Sequence, residues 1–430
     1  MAKLIPMKNI RYYAFWLKDF LTNGKVRMHY NEIKSVYRKK VNTDDYQNKR
    51  LRTILNYAKV NTKFYKKYNP DDLKSFPIIN KQDIIKADKS IFSKEFSKSK
   101  LRVMSTSGSS GTPFQMFQDK NKVARNNADL IFFYELGDYY IGDRFYFMRI
   151  WNSINKKSNL QAFIQNLKMI DTSNISISGA KRFKEDMLED KKNKVILAYA
   201  SSFTSLMEHI SDKLDWKIKS IFTGAEELPI PVKRKMESVF QCPVISRYSN
   251  QENGLLAQQP MGKDYFILND ASYFFEFLKP DKDEPANEGE ICRIVVTDLF
   301  NKAVPVIRYD TADLCTFKKV DNNIIIEKIH GRKVDFLKLN SGEVLSPHTI
   351  TNLMWNYPEL SEWQFIQNSL IDYTFTLVYK NTDKKQHYEN SLNNEIKKLF
   401  GFESTVNFVE VEHIPLEKSG KRKYIVSHVI

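Results

Sequence analysis

The chain lacks any run of about 18 apolar residues, so no stretch of it reads as a membrane-spanning helix. Its first residues, MAKLIPMKNIRYYAFWLKDFL, carry charges through what would have to be the apolar core of a signal peptide, and the expected address is the cytoplasm. Cysteine is scarce. Cys242, Cys292 and Cys315 lie far apart in sequence without CxxC spacing, which argues against a disulfide framework and a thiolate metal site and leaves reduced, buried thiols. A localised basic tract is also missing: the formal net charge is +16, but lysine is spread along the whole chain beside abundant Asn and Ile. That distribution argues against nucleic acid as a partner and is compatible with attraction of small anions such as nucleotides.

What is present is enough apolar material, 42% of 430 residues, for two or three domains with packed cores. Residues 8–40 interleave Lys8, Arg11, Lys18, Lys25, Arg27, Lys34, Arg38, Lys39 and Lys40 with Tyr12, Tyr13, Phe15, Trp16 and Phe20. Two readings stand for this segment: contact with the inner face of a membrane, or a helix packed on the body by its aromatic face. Tyr46–Tyr68 has Leu51, Ile54, Leu55 and Ala58 at helical spacing, and FPIINKQDIIKAD reads as a short extended segment followed by a helix capped at Asn80. Further on, strands and helices alternate: RFYFMRIW, then VILAYASSFTSLMEHI, KSIFTGAEELP and PVISRYSNQENGLLA, each expected as strand, turn, helix with small or polar residues at the changeover. This predicts a parallel α/β sheet with ligand beyond the carboxyl ends of its strands. From Tyr265 the texture is β, and Thr349–Ile430 reads as an α+β miniature with helix His387–Phe400 and strands WQFIQN, YTFTLVYK and VNFVEVE. The fold class is therefore α/β, with a large body at 1–331 and a small domain at 332–430.

The stretch on which the functional reading turns is STSGSSGTPF, Ser105–Phe114. No packed helix or strand would choose these residues; glycines let backbone N–H groups face an anion, and the Ser and Thr hydroxyls add donors, so the loop suits phosphate. It is not of the Walker type, since no Lys follows Gly111. Three polar stations follow strands: Thr223–Glu226, Tyr248–Glu252 and Asp310–Asp313. A nucleotide needs such groups: an acid for the ribose hydroxyls, an acid for Mg²⁺, and small residues against adenine. Each taken alone has an ordinary structural reading, Glu252 as a solvated acid, Asp313 as a turn residue and Lys421 as a tail lysine.

Their order carries more weight. The motifs STSGSSGTP, FTGAEELP, RYSNQE, IRYDTADL, GRKVDFLKLNSGEVLSP and IPLEKSGKRK resemble, in sequence order, those of the adenylate-forming superfamily, in particular the phenylacetate–CoA ligase branch with its CapK-type proteins of capsular polysaccharide synthesis. The resemblance spans nearly the whole chain. It implies that Ser107, Gly108, Ser109, Ser110, Gly111 and Thr112 wrap the phosphates of ATP. It also implies that Gly224, Ala225 and Glu226 border adenine, with Tyr248, Ser249 and Asn250 beside it, and that Glu252 binds Mg²⁺. Asp313 takes the ribose assisted by Arg332, Asp335 marks a hinge, and Lys421 enters the site for adenylation. The sequence departs from the pattern at Ala312 for Gly, at Val334 for the first Asp of a pair, and at Asn250 and Gln251; NGLLAQQPMGKDYFILND lacks the Cys and His with which some relatives hold zinc, so no such metal is expected. The implied activity is ATP-dependent formation of an acyl-AMP from a carboxylic or amino acid, with a sugar amine or hydroxyl as favoured acceptor and CoA as the alternative. Phe203, Phe222 and Tyr248 are candidate walls for the acid, and Ser201, Ser202, Arg149 and Arg247 candidate polar partners.

Overall fold

The computed structural model describes residues 9–105, 114–149, 151, 156–172, 177–224, 226–321, 323–332, 337–340, 344–345, 347–354, 356–415 and 423–429, with backbone alone at 105, 332, 344, 347, 348 and 352. Helix α1 (Ile10–Leu21) starts at Asn9, whose side chain accepts the Tyr12 N–H. Helix α2 (Lys25–Tyr37) is capped from a distance: the Asp19 carboxylate accepts the N–H groups of Val26 and Arg27. Helix α3 (Thr43–Asn61) buries Leu51, Ile54, Leu55 and Ala58, the positions its periodicity singles out. It ends before Tyr68 because Thr62 turns extended and its hydroxyl takes the Tyr65 N–H. Helix α4 (Lys81–Ala87) opens on the expected Asn80, in a capping box with Asp83.

Strands β1 (Arg102–Ser105) and β2 (Gln115–Gln118) pair antiparallel down to Ser105 opposite Gln115. This hairpin is the stem of the Ser/Gly-rich stretch, whose residues 106–113 lie outside those described. Helix α5 (Lys120–Glu135) follows at once. The alternating region then supplies β3 (Arg144–Arg149), α6 (Asn159–Gln165), β4 (Leu167–Asp171), α7 (Ile177–Glu189), β5 (Lys194–Tyr199), α8 (Ala200–Leu206), β6 (Ile218–Gly224), α9 (Ile230–Phe240) and β7 (Val244–Asn250). Strands β4, β3, β5, β6 and β7 are parallel neighbours in that order. Their apolar runs are nearly continuous, as a sheet covered on both faces demands, and Ile196, Phe203, Trp216 and Met236 join strands to helices in one core.

One expectation fails at RYSNQENGLLA. No helix follows β7; the chain turns back into β8 (Gly254–Gln258), antiparallel with Tyr248 opposite Ala257. Leu255, Leu256 and Ala257 are all buried, which fits a strand packed on both faces and leaves no polar side for a surface helix. Gly254, at φ +113, makes the turn, and a side chain there would crowd Asn126 and Tyr273. Strands β9 (Phe266–Leu268), β10 (Tyr273–Leu278), β11 (Cys292–Asp298), β12 (Tyr309–Val320) and β13 (Asn323–Arg332) follow, as the β texture predicts. Among the described residues they complete a sheet ordered β10-β11-β12-β13-β9-β8-β7-β6-β5-β3-β4.

After the short pair β14 (Leu337–Lys338) and β15 (Val344–Leu345), helix α10 (Pro347–Met354) leads to β16 (Leu360–Gln367), β17 (Asp372–Tyr379), α11 (Lys385–Phe400), β18 (Thr405–Glu410) and β19 (Ile425–Ser427). Strands β16 to β19 form a sheet ordered β18-β17-β16-β19, packed through Phe365, Phe375 and Leu377 on Leu392 and Ile396 of α11. By contacts the chain divides into Met1–Phe277, Val295–Thr311 and Phe317–Lys328 as one compact unit and Leu278–Ile294, Ala312–Thr316 and Ile329–Ile430 as the other. All three cysteines are free and buried. Cys292 and Cys315, distant in sequence, bring their sulfurs to 3.5 Å, and burial pushes the Cys242 thiol up to about 12.

The base of the β1–β2 hairpin is tied down by charge. Asp119 caps α5 with one carboxylate oxygen, which accepts the N–H groups of Asn121 and Lys122, while the other accepts those of Lys302 and Ala303. Asn301 donates to the Phe117 carbonyl. Inside, Lys122 and Asp298 form a fully buried ion pair at 2.7 Å, and Lys122 also donates to the Tyr273 hydroxyl. Arg125, fully buried, bonds Ser272 and Glu32. Burial pushes the Glu32 carboxyl up, but the His29 ring 3.7 Å away and the charges of Arg125 and Arg50 outweigh it and hold the group at about 2.

Removing one partner of a buried pair strands the other's charge, so Asp298→Ala is expected to cost about 3–5 kcal/mol of stability in urea unfolding. The depressed Glu32 carboxyl contributes on the order of 3 kcal/mol, fully present above the ordinary value of 4.5 and lost as pH falls through about 2. Glu32→Gln should therefore flatten the fall in urea midpoint between about pH 5 and pH 3.

Candidate active site

Parallel register brings the polar stations to one edge of the sheet. Tyr199, the last residue of β5, pairs with Gly224, the last of β6, and Thr223 pairs with Ser246 of β7. All three strands point their carboxyl ends the same way, so the turns after them are neighbours. A cross-link makes this explicit: the Ser201 N–H, at the start of α8, donates to the Glu226 carboxylate at 2.9 Å. The Thr223 and Ser246 hydroxyls are 3.2 Å apart. A Cβ added at Gly224 would meet nothing nearer than the Arg247 carbonyl at 3.9 Å, so packing does not demand glycine there and the space over it is open. Ala225 lies outside the described residues.

On β7, Tyr248 is buried and its hydroxyl donates to the Thr311 hydroxyl of β12 at 3.2 Å. Ser249 is exposed; the Asn250 side chain accepts the Asn253 N–H and closes the turn that leads into β8. Glu252 sits in that turn, not at a helix start. It is only 8% exposed, and no hydrogen bond or ion pair reaches its carboxylate among the described residues. A carboxylate oxygen set on a mostly enclosed turn and left without a protein partner is a hard ligand open to a cation, so its chemistry fits Mg²⁺.

The third station lies on β12. The backbone of β12 and the residue before it is clamped to the FPIINK turn: the Ile79 N–H donates to the Arg308 carbonyl, and the Asp310 N–H to the Ile79 carbonyl. Arg308 donates to both oxygens of Glu276, at 3.0 and 2.9 Å, and to the Phe76 carbonyl. Sequence reasoning missed these partners, because Glu276 lies 32 residues and Phe76 232 residues from Arg308 and nothing local links them. Ala312 adopts φ +62, the left-handed region that favours glycine, and the half-buried Asp313 follows it. Arg332 ends β13. Asp313 belongs to the second compact unit, and the phosphate-loop residues Ser107, Gly108, Ser109, Ser110, Gly111 and Thr112, with Asp335 and Lys421, lie outside the described residues.

Two of the expected acid-pocket walls are corrected. Phe203 and Phe222 are fully buried in cores, Phe203 against Phe240 and Phe222 against Tyr134, and present no surface to a ligand. Arg247 and Arg149 are half-buried, with Arg247 stacked 4.3 Å from the Tyr134 ring centre.

The fold is that of the adenylate-forming ligases. A 2-hydroxyisobutyryl-CoA ligase in the postadenylation state with 2-HIB-AMP superposes with a TM-score of 0.69 at 16% identity, covering 89% of this chain and 88% of that one. ATP-bound MatB from Rhodopseudomonas palustris gives 0.54 at 15% identity, over 76% and 68%. Among curated proteins the chain is a homologue of Protein CapK of Staphylococcus aureus, 25% identical over 96% of this chain and 95% of that protein, and residues 337–428 match the CapK C-terminal domain. A phenylacetate-coenzyme A ligase of Aromatoleum evansii is 23% identical over 59% of this chain and 62% of its own length.

Left-handed alanine is strained relative to glycine, so Ala312→Gly should raise stability by about 0.5–1 kcal/mol in urea unfolding.

Proposed function

We propose that the protein is an ATP-dependent, AMP-forming ligase that activates a carboxylic or amino acid and passes the acyl group to an amine or hydroxyl of a sugar precursor of a surface polysaccharide. The observation that carries this reading is Glu252: an acid only 8% exposed that meets no protein partner among the described residues, in the turn after a parallel strand, beside two further strand ends bearing small and polar residues. In the first step an oxygen of the carboxylate attacks the α-phosphorus of ATP, and the bond from that phosphorus to the bridging oxygen breaks to release pyrophosphate. In the second, the acceptor attacks the acyl carbon and AMP leaves.

The work of the chain is to hold two anions together and to neutralise charge. Ser107, Gly108, Ser109, Ser110, Gly111 and Thr112 wrap the phosphates; Gly224, Ala225 and Glu226 border adenine, Tyr248 with Ser249 and Asn250 flanks it, and Asp313 with Arg332 holds the ribose. Mg²⁺ bound at Glu252 supplies positive charge against the phosphates. The body at 1–331 binds ATP and acid, and the domain at 332–430 brings Lys421 to the reacting phosphate. The full-length likeness to Protein CapK favours the sugar acceptor; the CoA ligases among the relatives favour CoA as the second reading.

Lys421→Ala and Glu252→Ala should each slow pyrophosphate release by roughly 100-fold or more. A panel of carboxylic and amino acids, assayed with and without CoA, identifies the substrate and separates the acceptors. An unchanged rate in both variants on the preferred acid would refute the assignment.

A further inference from the structure

We infer that α1 and α6 form a docking face for an anionic lipid surface. Helix α1 does turn its aromatic side inward, where Trp16 joins Tyr30, Ile33 and Val36 of α2 and Phe132 and Phe133 of α5. Its opposite side is apolar as well. Ile10, Tyr13, Leu17, Phe20 and Leu21 are spaced for one outward stripe and stand between 59% and 81% exposed. A soluble helix ordinarily places charge there. The single acid of α1, Asp19, is buried instead and spent on capping α2.

The stripe does not stand alone. Arg11 donates to the Phe163 and Ile164 carbonyls at the end of α6, fixing the two helices side by side. On α6, Leu160, Phe163 and Ile164 are likewise exposed, from 59% to 72%. Two helices thus offer apolar outward edges in one place, larger than the scattered apolar residues of an ordinary surface.

Charge selects the occupant. Lys18 borders the α1 stripe, and Lys156 and Lys157, exposed, stand just ahead of α6. Over residues 9–40 eight Lys and Arg face two acids, Asp19 and Glu32, and both acids are engaged inward. An apolar stripe with a basic rim suits insertion at the headgroup level of a negatively charged bilayer better than contact with a second, equally basic copy. Attachment of this kind is peripheral, and no helix among the described residues is long and apolar enough to cross a membrane. The inference does not depend on the proposed reaction.

The test uses the full-length protein and vesicles of phosphatidylcholine with and without phosphatidylglycerol. Cosedimentation is expected with the anionic vesicles, weakened by salt, and little with phosphatidylcholine alone. Leu17→Glu with Phe20→Glu should reduce partitioning roughly tenfold or more, and Lys156→Glu with Lys157→Glu should reduce it and flatten the salt dependence. Both pairs face solvent, so melting temperature and pyrophosphate release should be kept. Wild-type protein left in the supernatant, or variants that partition like it, would overturn the inference. So would a solution dimer that ignores vesicles and is split by the Leu17/Phe20 pair, which would assign the face to a second copy.

Discussion

The body of this molecule is organised around a buried electrostatic knot at the start of α5. Lys122 and Asp298 neutralise each other without access to water, and Arg125 takes up Ser272 and Glu32 in the same interior. A charge pair so placed is poor at adding net stability, because desolvation offsets most of the attraction. Its value is positional: β2, α5, β10 and the turn after β11 can meet in one arrangement only if these groups find one another.

From that knot the site's geometry follows. The hairpin stem is held at its base, the parallel strands deliver Tyr199, Gly224 and Arg247 to one edge, and Tyr248 reaches Thr311. Small residues at the strand ends leave room, and the Glu252 carboxylate meets no protein partner among the described residues. The arrangement sets the paired charges of Lys122, Asp298 and Arg125 in the interior and leaves the Glu252 carboxylate in the turn after β7 without a protein partner among the described residues.

Much of the architecture was legible because it rests on local rules. Asn80 capped its helix, the Leu51 to Ala58 stripe was buried, and the C-terminal strands and helix fell close to their apolar patterns. The helix expected after β7 was misread because RYSNQENGLLA resembles the two changeovers before it, while the outcome was decided by burial of Leu255 to Ala257 on both sides. Long-range pairings were not legible at all: nothing local in Arg308 announces Glu276, and Phe203 and Phe222 read as pocket walls from their place beside turns, although strand and helix packing enclose them completely. The resemblance of motifs supplied roles for residues that propensity alone leaves as ordinary turns.

The double duty of Asp119 has an engineering corollary. One side chain terminates a helix dipole with one oxygen and fastens Lys302 and Ala303, remote in the chain, with the other. The β1–β2 hairpin is therefore not a portable cassette. Grafted elsewhere without the partner turn at 301–303, it would keep its strand pairing and lose the bonds that anchor its base.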